Sequence, residues 1–227
     1  MDIETRKDRL DQRINTASQR AGRKRSKIRL LAVSKKQPAQ SIRELASFGQ
    51  LAFGENYLQE AVEKIDTLSD LTLEWHYIGQ LQRNKTRVVA ENFDWVQSID
   101  RAVLAERLSA QRPDDKADLN LCIQVRMSEE TGKGGIAIDE IIPLAGIIDK
   151  LPRVNLRGLM TIPENTTNVE KQRQSFRSMY AIFSDLKTRF HTVDTLSMGM
   201  SGDFELAIEE GSTMIRVGSA LFGPRPA

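Results

Sequence analysis

The sequence predicts an α/β fold, a single (β/α)8 barrel of TIM type preceded by an extra N-terminal helix, with one domain over residues 1–227. Three observations point there. Short β-like runs alternate with amphipathic helical stretches, the pattern of a parallel sheet with covering helices. Eight such strand–helix pairs can be counted. A chain of 227 residues is an ordinary length for one closed barrel. An open doubly wound sheet shares the alternation, because strand order is not visible in a sequence.

The elements follow in order. Residues 3–21 are polar, but Ile3, Leu10, Ile14 and Ala17 share one helical face, which predicts an outer helix with a linker to residue 27. The basic run from Arg23 to Lys27 reads as a solvated linker rather than a binding patch. Residues 29–34 form the first strand and end at Lys35; Pro38 opens a helix and Gly49 suits its exit. Strands are predicted at 51–54, 73–78 and 95–99, with helices at 57–68, 85–91 and 102–110. The run 119–125 is continuously apolar, as a strand buried on both faces should be. A helix at 138–150, a strand at 156–162 and a long helix at 169–190 come next. The last units are strand 195–198, a short helix 203–209, strand 214–217 and a short closing segment.

Composition removes several classes of function. The formal charge is +2, with 40% hydrophobic and 28% charged residues, so nucleic acid and an anionic membrane are not expected partners. One cysteine, Cys122, excludes an intrachain disulfide, and with two histidines it leaves no basis for a zinc site. The start of the chain has early acids and no apolar core, unlike a secretory signal. A cytoplasmic protein is the expectation.

Functional residues of such a barrel cluster where its strands end. Ser201, flanked by glycines before the short helix 203–209, and Gly218-Ser219 after the last strand could cradle a phosphate with backbone N–H groups. They equally suit a helix cap and plain turns. Lys35 could form a Schiff base if its surroundings favour the neutral amine. It also fits a solvated lysine, with Lys36 beside it. Arg216, always charged, could donate to a pyridine nitrogen or pair with Glu205 or Glu209. Strands one and eight adjoin in a closed barrel, so an amine and a phosphate cradle would meet at one mouth, as an aldehyde-bearing phosphate cofactor requires.

Several motifs carry a resemblance. They are Ala32-Val33-Ser34-Lys35, Phe53-Gly54-Glu55-Asn56-Tyr57-Leu58-Gln59-Glu60 and Trp75-His76-Tyr77-Ile78-Gly79-Gln80-Leu81-Gln82-Arg83-Asn84-Lys85. Further along stand Arg157-Gly158-Leu159-Met160, Leu196-Ser197-Met198-Gly199-Met200-Ser201 and Gly211-Ser212-Thr213-Met214-Ile215-Arg216-Val217-Gly218. From about Leu31 to Gly223 the chain resembles the pyridoxal phosphate homeostasis proteins, also called proline synthase co-transcribed homologues, which are similar to the N-terminal barrel of alanine racemase. The resemblance implies that Lys35 carries pyridoxal 5′-phosphate (PLP) as a Schiff base. Ser201, Gly218 and Ser219 would then hold its phosphate, Arg216 would face its ring nitrogen, and Asn56, His76 and Met200 would line the ring pocket. Lys133 corresponds to a lysine in a similar loop of the family. Two departures stand out: Gln37 occupies a position where some members have a second lysine, and the chain lacks the basic tail some members carry.

The function so implied is intracellular PLP homeostasis, by buffering the cofactor or delivering it to apo enzymes, without dedicated turnover. The alternative is an amino-acid racemase, which needs an acid or base on each face of the substrate carbon. The sequence shows no counterpart of the β-rich domain that supplies the second group in alanine racemase, and nothing sets Tyr57 or Tyr77 opposite Lys35. A phosphosugar-binding barrel would use the same cradle but not Lys35. Without that racemase domain a monomer is expected.

Overall fold

The computed structural model describes residues 2–127, 134–163 and 166–223. Its strands are β1 (Arg29–Val33), β2 (Ala52–Glu55), β3 (Glu74–Tyr77), β4 (Trp95–Ile99), β5 (Leu119–Val125), β6 (Val154–Thr161), β7 (Thr195–Ser197) and β8 (Met214–Val217). They pair in chain order, and β8 returns to β1 to close the barrel. The closing pair is parallel, with Leu31 opposite Arg216 and Ala32 opposite Val217. The closed order removes the open-sheet alternative.

Helix α1 (Ile3–Arg20) precedes the barrel, and α2 (Ala39–Ser47), α3 (Leu58–Thr67), α4 (Thr86–Asn92), α5 (Ala102–Gln111), α6 (Ile141–Ile148), α7 (Val169–Arg189), α8 (Phe204–Glu209) and α9 (Ser219–Phe222) follow the strands in turn. Side-chain oxygens cap the two longest: Asp2 accepts from Thr5 N–H at the start of α1, and Asn168 accepts from Lys171 N–H at the start of α7.

Strand alternation sorts the side chains into two cores. Outward residues such as Ala32, Phe53, Trp75, Val96, Leu121, Leu159, Leu196 and Ile215 join the helices in the main apolar cluster. Inward residues form two small clusters, Leu31 with Ala52 and Met214, and Trp95 with Cys122 and Met160. The barrel is therefore filled by side chains, and a ligand finds room at its mouth rather than along its axis.

Three sequence expectations need correction. The helix expected over 138–150 is a single tight turn followed by α6. Pro143 has no N–H and clashes with a preceding helical turn, so the α-helical ladder begins only at Ile141, with Pro143 in its first turn. Strand β6 begins at Val154, because Asn155 interrupts the apolar run without interrupting the pairing. Arg23 is no solvated linker residue: its guanidinium donates to the carbonyls of Ile208 and Ser212 at 2.8 and 2.7 Å, fastening the chain after α1 to the end of α8. Arg25 likewise binds Asp11 and the Ile28 carbonyl. No helix among the described residues is long and apolar enough to cross a membrane.

Candidate functional site at the barrel mouth

The β1 strand ends in a tight turn. Gln37 N–H donates to the Ser34 carbonyl at 3.0 Å, which places Lys35 and Lys36 at the two central positions. Lys36, the second central residue, adopts φ 61°, in the left-handed region. A buried ionic cluster holds this turn from behind. Ser34 Oγ donates to Glu55 at 2.6 Å, and Lys64 Nζ donates to both Glu55 and the Ser34 carbonyl at 2.8 Å. Lys64 also binds Glu60, which accepts Lys36 N–H at 2.6 Å. Both neighbours of Lys35 are thus tied to one charged cluster. Burial pushes the Glu55 carboxyl above its ordinary range, against the pull of Lys64 and Ser34.

The opposite wall comes from β7 and β8. After β7 the chain turns through Gly199 at φ 95°, where an added Cβ would lie 2.6 Å from the Ala207 side chain. The turn continues through Met200, Ser201 and Gly202, and Asp203 accepts Met200 N–H at 2.6 Å. Asp203 is the residue preceding α8. The expected cap-like place of Ser201 is therefore corrected: it stands outside the helix, and its hydroxyl accepts Gly218 N–H at 3.4 Å, joining the two loops. Among the described residues, the N–H groups of Ser201, Gly202 and Ser219 have no protein acceptor. Such unpaired backbone donors at a barrel mouth are suited to an anion.

Arg216 is buried and pairs with neither Glu205 nor Glu209, which bind Arg13 and Arg173 instead. It donates to Ser197 Oγ at 2.7 Å and to the Thr161 carbonyl at 2.8 Å. Burial lowers its pKa to about 10, opposed by Asp203, so it stays cationic at neutral pH. Asn56 is set by close packing, since a Cβ on Gly79 would lie 2.2 Å from the Asn56 carbonyl oxygen. The Asn56 Oδ1 atom is buried without a hydrogen-bond partner. Such an atom inside a cleft is what a ligand donor satisfies.

These pieces enclose a cavity of about 290 Å³. Seven of the eight residues singled out from the sequence line it: Lys35, Asn56, Met200, Ser201, Arg216, Gly218 and Ser219. His76 does not. It is fully buried further down the barrel, stacked on Trp95 with ring centres 5.0 Å apart. Lys133 lies outside the described residues. Val33, Ile78, Met160 and Ile162 supply the apolar wall. Sequence reading named none of these as site residues, although inward alternation in β1 and β6 marks Val33 and Met160. Among the lining residues only Lys35 and Arg216 are ionisable. Tyr57 is half exposed and lines no part of the cavity, and Tyr77 packs in the outer core against Phe93.

An amine, unpaired backbone N–H donors and an interior arginine at one mouth, on a closed parallel barrel, fit a barrel of the alanine racemase N-terminal type. The chain matches the family "Alanine racemase, N-terminal domain" over residues 6–226. The pyridoxal phosphate homeostasis protein of Haemophilus influenzae is 48% identical over 229 residues, which span 99% of this chain and 97% of that one. The structure of PipY from Synechococcus elongatus with PLP bound is similar at a TM-score of 0.82 and 37% identity, covering 94% of this chain and 100% of that one. Alanine racemase from Corynebacterium glutamicum shares the fold, with a TM-score of 0.66 at 18% identity over 97% of this chain and 62% of that one. The chain belongs to the pyridoxal phosphate homeostasis protein family.

Proposed function

We propose that this chain binds PLP at the barrel mouth, through Lys35 as a Schiff base, and serves cytoplasmic PLP homeostasis by buffering the cofactor or passing it to apo enzymes. The observation that carries the reading is the cavity itself, which sets Lys35, the N–H donors of Ser201, Gly202 and Ser219, and Arg216 around one volume. The cofactor brings an aldehyde that a neutral amine captures with loss of water, a phosphate dianion and a pyridine nitrogen. Each meets a matching group here. Lys35 supplies the amine, and the backbone N–H groups with the Ser201 and Ser219 hydroxyls hold the phosphate. Arg216 donates to the ring nitrogen and, being cationic, disfavours its protonation. Asn56 and Met200 border the ring.

The same cavity supports a carrier over a racemase. Racemisation needs two groups that exchange protons on opposite faces of one carbon. Lys35 is one such group. The only other ionisable side chain lining the cavity among the described residues is Arg216, whose hydrogen bonds to Ser197 Oγ and the Thr161 carbonyl hold it down toward the barrel interior. An arginine with a pKa of about 10 is a poor base. A monomer suits this reading, because no lining residue has to come from a second copy.

The test is a visible spectrum of the purified protein with added PLP, before and after borohydride, beside Lys35→Ala. The expected result is a yellow band that reduction fixes on the Lys35 peptide and that the variant lacks. A protein that stays colourless with PLP overturns the reading. Incubation of the loaded protein with single-enantiomer amino acids in D2O should give no multiple-turnover exchange at the α-carbon; sustained exchange would make it an enzyme.

A further inference from the structure

Below the cavity a chain of polar side chains runs through the barrel interior. Arg216 donates to Ser197 Oγ at 2.7 Å, and Ser197 Oγ donates to Gln97 Oε1 at 2.6 Å. Gln97 Nε2 lies 2.9 Å from His76 Nδ1, and His76 Nε2 lies 2.5 Å from Glu74 Oε1. Gln97, Ser197 and His76 are all fully buried. Strands β3, β4, β7 and β8 contribute, so the chain crosses the barrel interior from the mouth to the opposite rim, where Arg29 pairs with Glu74.

The direction of every hydrogen bond can be worked out from the rim upward. Burial would raise the Glu74 carboxyl, but the His76 N–H and the Arg29 guanidinium outweigh it and hold it below its ordinary range. Glu74 is therefore ionised and can only accept. His76 must donate from Nε2. Burial keeps its imidazole neutral, against the pull of Glu74, so Nδ1 is an acceptor. Gln97 must then direct Nε2 at His76, and its second N–H meets Met214 Sδ at 3.2 Å. This leaves only Oε1 for Ser197. The Ser197 proton is used on Gln97, so its lone pairs face Arg216. With the amide of Gln97 reversed, Ser197 would receive two donors and its own proton would have no acceptor in the chain.

We infer that Gln97 is a positioning residue for Arg216: through Ser197 it fixes the guanidinium in the orientation that meets the ring nitrogen of bound PLP, with His76 and Glu74 setting the direction of the amide. The inference rests on the PLP reading above. Packing alone does not need this arrangement, since apolar side chains of similar volume along the whole chain would fill the space and leave no buried polar group to satisfy.

The experiment loads wild type, Gln97→Met, Ser197→Ala and the double variant with PLP labelled with 15N in the ring. It reads the ring 15N resonance by NMR and the rate of PLP release, with thermal unfolding as a check on folding. Gln97→Met should shift the resonance in the same direction as Ser197→Ala, and release should quicken about tenfold, the scale of one hydrogen bond to a charged group. The double variant should shift no further than Ser197→Ala alone, because the two act in series. Gln97→Glu keeps the acceptor for Ser197 and should return the resonance more than halfway to wild type. Loaded Gln97→Met with an unmoved resonance, or shifts that add in the double variant, would overturn the inference. Failure of wild type to take up PLP is a different outcome and overturns the function instead.

Discussion

Lys36 is the residue where local conformation and function meet most directly. Its φ of 61° puts a side chain in the left-handed region, where a non-glycine residue costs roughly 1–2 kcal/mol. The turn keeps this conformation because Lys36 N–H is held by Glu60 and the turn is closed by Gln37 N–H on Ser34. A small, accessible turn at Lys35 is the result. Lys36→Gly removes the steric cost and adds chain entropy to the unfolded state, so the net gain should be about 0.5–1 kcal/mol in urea unfolding. A β-branched residue has the reverse effect, and Lys36→Val should lose at least about 1 kcal/mol. Equal stability of the two variants would show that the conformation carries no strain. The Lys36 side chain is not what the turn uses, so a lysine–lysine pair in sequence here marks a turn geometry as much as a chemical relay.

At the scale of elements, the turn after β1 depends on β2 and α3 through Glu55, Glu60 and Lys64. Lys64 and Glu55 are both buried, and losing one partner strands the other charge. Lys64→Met should therefore cost about 3–5 kcal/mol near neutral pH. Glu55 already has a raised pKa, so in the variant it takes up a proton more readily, and the loss should shrink as pH falls toward 5. Adding Glu55→Gln should recover part of the stability at neutral pH; a pH-independent loss with no recovery would mean that Lys64 acts by packing alone. Such long-range pairings explain what sequence reading could and could not reach. Strands β4, β5 and β8 have the bounds expected from the sequence, because their apolar runs are flanked by polar residues. Seven cavity residues follow from barrel geometry and family motifs. The interior chain does not, since Ser197 and Gln97 are 100 positions apart and only closure brings them together. The local signal is a polar residue at an inward position beside an outward apolar one, as in Val96-Gln97 and Leu196-Ser197. His76 was assigned to the cavity because motif position does not say how far down the barrel a side chain sits.

At the scale of the whole molecule, the two ends of the barrel respond to acid in opposite senses. At the mouth, Glu55 binds a proton more readily folded than unfolded, so its contribution favours folding as pH falls. At the far rim, Glu74 is held at about 2 against an ordinary 4.5. Its stabilisation is complete above the unfolded value and is lost as pH falls from 4.5 through about 2. His76 acts in the same sense, because burial disfavours its protonation while the unfolded chain protonates freely below about 6.5. Glu74 and His76 on β3 thus oppose Glu55 and Asp203 at the mouth, where burial raises both carboxyls, and the acid limb should follow Glu74. The full Glu74 shift would correspond to roughly 3 kcal/mol, but its side chain is 33% exposed and its Arg29 partner 43% exposed, so about 1–2 kcal/mol survives solvent screening. Glu74→Gln keeps an acceptor for His76 and removes only the charge. Its urea stability should fall by about that 1–2 kcal/mol at pH 7, and the gap should narrow below pH 4.5 and close as pH falls through about 2. Parallel acid limbs for the two proteins would mean that the rim carboxylate does not govern acid unfolding.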